Sequence, residues 1–116
     1  MMPGTAPMES EAFEAMFGPI RARFRLSMAE HVAHIERILQ GGAGLGAPRA
    51  LEDVAVRAHK ISGVAATLGF DGIGRSATTV ENGILTLQRA AAYGASDLAS
   101  LHAMIRELVD RMQAEI

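Results

Sequence analysis

The chain has 116 residues and no cysteine, with 11 Lys+Arg against 13 Asp+Glu for a formal charge of -2. That length is one domain, and the missing thiols exclude a disulfide scaffold, thiol catalysis and thiolate metal sites. The near balance of charge gives no global attraction to nucleic acid or anionic membrane, and apolar residues at 49% with aromatics at only 4% suit packed helices better than a β-sandwich.

The segment Met1-Met2-Pro3-Gly4-Thr5-Ala6-Pro7 lacks the basic-then-apolar order of a secretory signal. No apolar run approaches the ~18–20 residues of a membrane span. The expectation is a soluble, cytoplasmic protein with a disordered tail over residues 1–8 and one helical domain over 9–116. From Phe13 onward, Phe17, Ile20, Phe24, Met28, Val32, Ile35 and Leu39 recur every three or four residues, the spacing of one buried helix stripe. Gly18-Pro19 interrupts it, which predicts a short first helix ending at Phe17 and a long one starting at Pro19. The run Gly41-Gly42-Ala43-Gly44-Leu45-Gly46 reads as a loop.

A third helix begins near Pro48 and turns Leu51, Val54, Ala58, Ile61, Ala65 and Leu68 inward, with Gly69 as its stop. Asp71 is the expected N-cap of the next helix, which carries Ile73, Ala77, Val80, Ile84, Leu87 and Ala91. Gly94 closes that helix. Ser96 or Asp97 caps the last one, with Leu98, Leu101, Ile105, Leu108 and Met112 at heptad-like spacing. Helices of this length joined by short loops run up-down-up-down. The predicted fold is all-α: an antiparallel four-helix bundle with a short extra N-terminal helix.

Function must then come from side chains, since bundles host many activities. A di-iron carboxylate site needs Glu-x-x-His pairs, and none of His31, His34, His59 or His102 has an acidic residue three positions before it. His31 and His34 are spaced to share a metal, but nothing in the sequence places a third ligand, and polar positions beside the core stripe explain them as well. His59 stands apart. At about 100° per residue its side of the helix carries Glu52, Ala55, Val56, Ser62, Gly63 and Ala66, away from the apolar stripe. A glycine inside a helix costs about 1 kcal/mol relative to alanine. Gly63 therefore marks either close approach by a partner or tight packing of a neighbouring helix.

The segment Arg57-Ala58-His59-Lys60-Ile61-Ser62-Gly63-Val64-Ala65-Ala66-Thr67-Leu68-Gly69-Phe70 resembles the signature of histidine-containing phosphotransfer (HPt) domains, approximately A-H-x-L-K-G-x-A-x-x-L-G. Val80-Glu81 fits the hydrophobic-Glu pair on the helix that follows, and helix order agrees from about Phe13 to Met112. The resemblance implies that His59 accepts a phosphoryl group and exchanges it with an aspartate of a response-regulator receiver domain. It implies a hybrid sensor histidine kinase as a further partner, and Mg²⁺ on the receiver rather than on this chain. Glu52, Ala55, Val56 and Ala66 would form the docking patch, and Lys60, Ser62, Gly63 and Glu81 the phosphoryl environment, with Glu81 orienting the imidazole.

One position departs from the pattern. Ser62 stands where the family carries a lysine, and Lys60 lies about 100° around the helix, so it is no equivalent. Ser62 can offer a phosphate oxygen one hydrogen bond. The departure keeps open an alternative: a bundle that binds a receiver domain or kinase as an adaptor without accepting phosphate. The chain has no P-loop, since the Gly41–Gly46 run lacks the following lysine, so no kinase activity of its own is expected. The basic run Arg21, Arg23, Arg25 reads as a solvated face. Because the apolar stripes look satisfied within one bundle, a monomer is expected.

Overall fold

The computed structural model describes residues 5–116, with side chains from residue 11 onward. Four helices follow one another: α1 (Thr5–Gln40), α2 (Ala50–Ala65), α3 (Asp71–Arg89) and α4 (Ala95–Gln113), with a single 3-10 turn, Gly44–Gly46, between α1 and α2. Cross-helix pairs give the topology. His34 meets Asp53 and Arg21 meets Leu68, so α1 and α2 are antiparallel. His59 meets Glu81, and Glu36 meets Arg106, which sets α2 against α3 and α1 against α4 in the same sense. The result is the expected up-down-up-down bundle. None of the described helices is long and apolar enough to cross a membrane.

Its interior is aliphatic, with Met28, Ile35, Val54, Ile61, Val80, Ile84, Ile105 and Leu108 fully buried. Gly83 lets α3 come close to α4, while Gly74 stands at ordinary contact distance from the end of α2. A Cβ on Gly74 of α3 would lie 3.5 Å from the Ala66 backbone nitrogen, and one on Gly83 would lie 3.2 Å from Met104 Sδ of α4. The α2–α3 corner is a Schellman turn. Phe70 N–H donates to Ala65 O at 2.8 Å and Gly69 N–H to Ala66 O at 3.3 Å, with Gly69 left-handed at φ 88°. Phe70 then packs on Phe24, and Arg21 Nε donates to Leu68 O, which ties the corner to α1.

Several local expectations change. Pro19 sits inside α1 instead of starting a new helix, so the extra N-terminal helix is continuous with the long one. Proline removes one hydrogen bond and costs about 3 kcal/mol in a helix interior, yet side chains bridge the gap. Arg21 pairs with Glu14 at 2.6 Å and lies over Phe13 at 5.0 Å, and Phe13 stacks on Phe17 at 4.6 Å. Of the expected tail, residues 1–4 lie outside the described residues and Thr5 opens α1. Phe13 and Ile20 are exposed rather than buried, because α1 at about 54 Å outruns its partners. Asp71 is the first residue of α3, behind Phe70, and makes no capping bond. α3 stops at Arg89, leaving Ala91 exposed, and Gly94 is the N-cap of α4, where Asp97 Oδ2 accepts its N–H at 2.9 Å.

Glu36 and Arg106 form a forked pair at 2.6 and 3.2 Å between α1 and α4. The arginine's hydrogen bonds hold the Glu36 carboxyl below its ordinary value. A carboxyl lowered in the folded state stabilises above its unfolded pKa and loses that contribution as pH falls through the folded value. Arg106→Met is therefore expected to cost about 1 kcal/mol at pH 7. The difference from the parent should shrink as the pH is lowered and Glu36 takes up its proton in the folded chain, as urea titrations at neutral and at progressively more acid pH would show.

Candidate functional site

Ala58, Ile61 and Ala65 bury one side of α2, and that registration turns His59 outward. Its side chain is 75% exposed. Nδ1 lies 2.9 Å from Oε2 of Glu81, which projects from α3 one residue after the buried Val80 and is itself 23% exposed. A carboxylate only accepts hydrogen bonds, so Nδ1 carries the ring proton and the lone pair is left on Nε2, on the solvent side.

Around the ring the sequence-predicted residues divide. A Cβ on Gly63 would meet nothing within 4 Å, so no neighbouring helix explains this glycine and the surface past His59 is open. Lys60, Val56, Glu52 and Ala66 are exposed on the same helix, and Ala55 is half-buried. Ser62 does not point its hydroxyl into the clearing: Oγ donates to the His59 carbonyl oxygen at 2.9 Å, along its own helix. A groove of about 520 Å³ starts at Ser62 and runs between α2 and α3, past Ala66 and Gly74, to Arg75, Thr78 and Thr79. Sequence reasoning missed these last three. Part of the signal was available, since Thr78 precedes Glu81 by three residues and shares its side of α3, whereas Arg75 lies about 120° around the helix from Glu81.

The other histidines are engaged differently. His34 Nε2 lies 2.6 Å from Asp53 Oδ2, and Arg37 Nη2 faces its Nδ1 at 3.4 Å. Arg57 Nη1 donates to His31 Nδ1 at 3.0 Å, while Arg57 Nε holds Asp53 at 3.1 Å. Burial, then the charges of Arg57 and Lys60, push the His31 imidazole below the ordinary histidine range. Burial alone would raise Asp53, but the hydrogen bonds from His34 and Arg57 outweigh it and leave the carboxyl lowered. In place of a shared metal, His31 and His34 take part in a polar seam between α1 and α2. In both, an arginine occupies the ring lone pair. His102 is exposed on α4, beside Leu98 and Leu45.

A family model described as Hpt domain matches residues 19–115. The chain belongs to the Hpt domain family. Membership brings phosphotransfer in two-component signalling, through contact with receiver domains and kinases. No curated protein and no solved structure matches the chain. The Hpt match runs from Pro19 to Glu115, so it covers all of α2, α3 and α4, together with α1 from Pro19 onward.

The ring geometry has a direct spectroscopic consequence. ¹⁵N spectra of the His59 ring should report Nδ1–H as the major tautomer at pH 8. In Glu81→Ala, which removes the acceptor, the population should move toward Nε2–H.

Proposed function

We propose that this Hpt domain is a phosphorelay intermediate whose phosphoacceptor is His59. The observation that carries the reading is the state of that ring: exposed, held at Nδ1 by Glu81, and presenting a free Nε2 lone pair over a clearing that Gly63 leaves empty. His31 and His34 offer no such atom. The Nε2 lone pair attacks phosphorus in line with an aspartyl oxygen of a receiver's acyl phosphate. The N–P bond forms as the P–O bond breaks, and the carboxylate leaves with its electron pair. The ring gains positive charge in this step, and the Glu81 carboxylate beside the Nδ1 proton offsets it. The reverse step returns the group to an aspartate.

The partners of this reading are a response-regulator receiver domain, whose own aspartate site supplies Mg²⁺, and a hybrid sensor histidine kinase. They dock on Glu52, Ala55, Val56 and Ala66, through a modest and transient patch. Ser62 supplies no charge to the phosphoryl oxygens, and Lys60 projects from a different side of the helix, so the phosphohistidine is less stabilised than with a lysine at position 62. The hydroxyl of Ser62, turned to its own helix, also favours the second reading, an adaptor that binds a receiver or kinase without taking phosphate.

Incubation with a phosphorylated receiver, or with a cognate kinase and labelled ATP, distinguishes the two. Phosphotransfer is expected to leave acid-labile, alkali-stable label on the chain. That label should be lost in His59→Gln with unchanged helical circular dichroism; receiver binding with no label in the parent chain would establish the adaptor. Ser62→Lys should lengthen the phosphohistidine half-life several-fold, since a solvent-exposed charge pair contributes up to about 1 kcal/mol. An unchanged half-life would remove the role assigned to this position.

A further inference from the structure

We propose that Arg75 is a docking residue for the receiver domain, pairing with a carboxylate on the rim of the receiver's aspartyl-phosphate site across the groove between α2 and α3. The inference rests on the reading of His59 as the atom a receiver approaches. Arg75 precedes Glu81 by six residues, about 9 Å along the axis, and leaves α3 about 120° around from it. That offset turns the guanidinium away from a phosphoryl group on Nε2, but keeps it inside the footprint of a partner. An interface of about 600 Å² on each side, the low end of specific contacts, covers a disc of roughly 14 Å radius. A receiver centred on Nε2, as in-line transfer requires, therefore covers the groove and Arg75 as well.

The lining shows what the groove accepts. Its floor is Gly74 and Ala66, and Ala66 also belongs to the docking patch beside His59. The hydroxyls of Ser62, Thr78 and Thr79 each donate to a carbonyl of their own helix, at 2.9, 3.0 and 3.0 Å. With those donors engaged, the trough offers apolar surface and two charges, Asp71 and Arg75. Asp71 stands in the first turn of α3, where the free helix N–H groups favour a negative charge. Arg75 is exposed and has no ion pair among the described residues, unlike Arg21, Arg57, Arg106 and Arg111. An unpaired guanidinium on an apolar trough fits a glutamate or aspartate whose stem lies along the trough. Charge selects the same partner. A receiver binds Mg²⁺ through carboxylates, and its acyl phosphate adds negative charge. This chain is itself negative, at -2, so its attraction for an acidic rim has to be local. Arg75 supplies that attraction on the α3 side of the ring.

The test is the association rate of the full chain with the receiver domain of the labelling experiment, unphosphorylated, at about 10 mM and about 1 M salt. Charges are screened beyond roughly 30 Å in the first and 3 Å in the second. Arg75→Gln is expected to slow association about fivefold at low salt, the upper effect of one exposed charge pair. The difference should be lost at 1 M, and Arg75→Glu should be slower still. Helicity and the phosphohistidine half-life should match the parent. Arg89→Gln removes the same charge from α3 outside the groove, eight residues beyond Glu81, and is expected to keep the parent's rate. An unchanged rate in Arg75→Gln overturns the proposal, as does an equal loss in Arg89→Gln or a parent chain that binds no receiver. A shortened half-life in Arg75→Gln also overturns it, by placing the guanidinium on the phosphoryl group. Binding is read without phosphate, so a chain that binds but takes no label refutes His59 as phosphoacceptor while the Arg75 comparison still stands.

Discussion

The antiparallel register of α2 against α3 is the constraint on which the site depends. Gly74 lies against Ala66 at one end of this contact, and counting back along α2 while counting forward along α3 brings Glu81 opposite His59 at the other. A side chain at position 74 larger than methyl would press on the α2 backbone and shift that alignment, and a shift of one residue would turn Glu81 about 100° away. The buried row Ile73, Ala77, Val80 and Ile84 fixes α3 about its axis, just as Ala58, Ile61 and Ala65 fix α2. The imidazole is thus aimed by core packing on two helices, although the ring itself is the most solvent-accessible part of the arrangement.

The chain also shows how histidines of equal intrinsic chemistry are set apart by their neighbours. His31 and His34 face arginines across or along the α1–α2 seam, and a donor at the ring lone pair removes it as a nucleophile. His59 faces an acceptor, which has the opposite effect. The seam contributes to docking α1 on α2, and the Glu36–Arg106 fork does the same for α1 on α4. The polar groups that hold the bundle together are therefore distinct from those around His59.

α1 has two halves with different tasks. From Phe24 onward it supplies Phe24, Met28, Val32 and Ile35 to the core. Before that it continues as a helix whose Phe17 and Arg21 still reach the bundle while Phe13, Met16 and Ile20 are exposed, past a proline that would ordinarily end it. Continuity is recovered by side chains one and two turns apart, a pattern that propensity at single positions does not register. The consequence is an apolar face carried in a fixed orientation outside the bundle.

Much of this was legible in the sequence. The apolar periodicity of residues 51–68, 73–87 and 98–112 determined three helices and their buried faces, and the segment around His59 determined the family and the exposed histidine, because both are local patterns of spacing. The ends of helices were less legible. Asp71 and Ser96 are good caps by type, yet Phe70 and Gly94 hold those positions, since the backbone at each corner is set by the Gly69 turn and by the Asp97 bond. Only the tertiary structure decided that Gly63 is open while Gly74 is packed, that Ser62 bonds backward, and that Arg57 and Asp53 occupy His31 and His34. The bond of Ser62 is a choice of rotamer within its own helix; the others depend on what a second helix brings near, and one-dimensional spacing carries no information about the distance between helices.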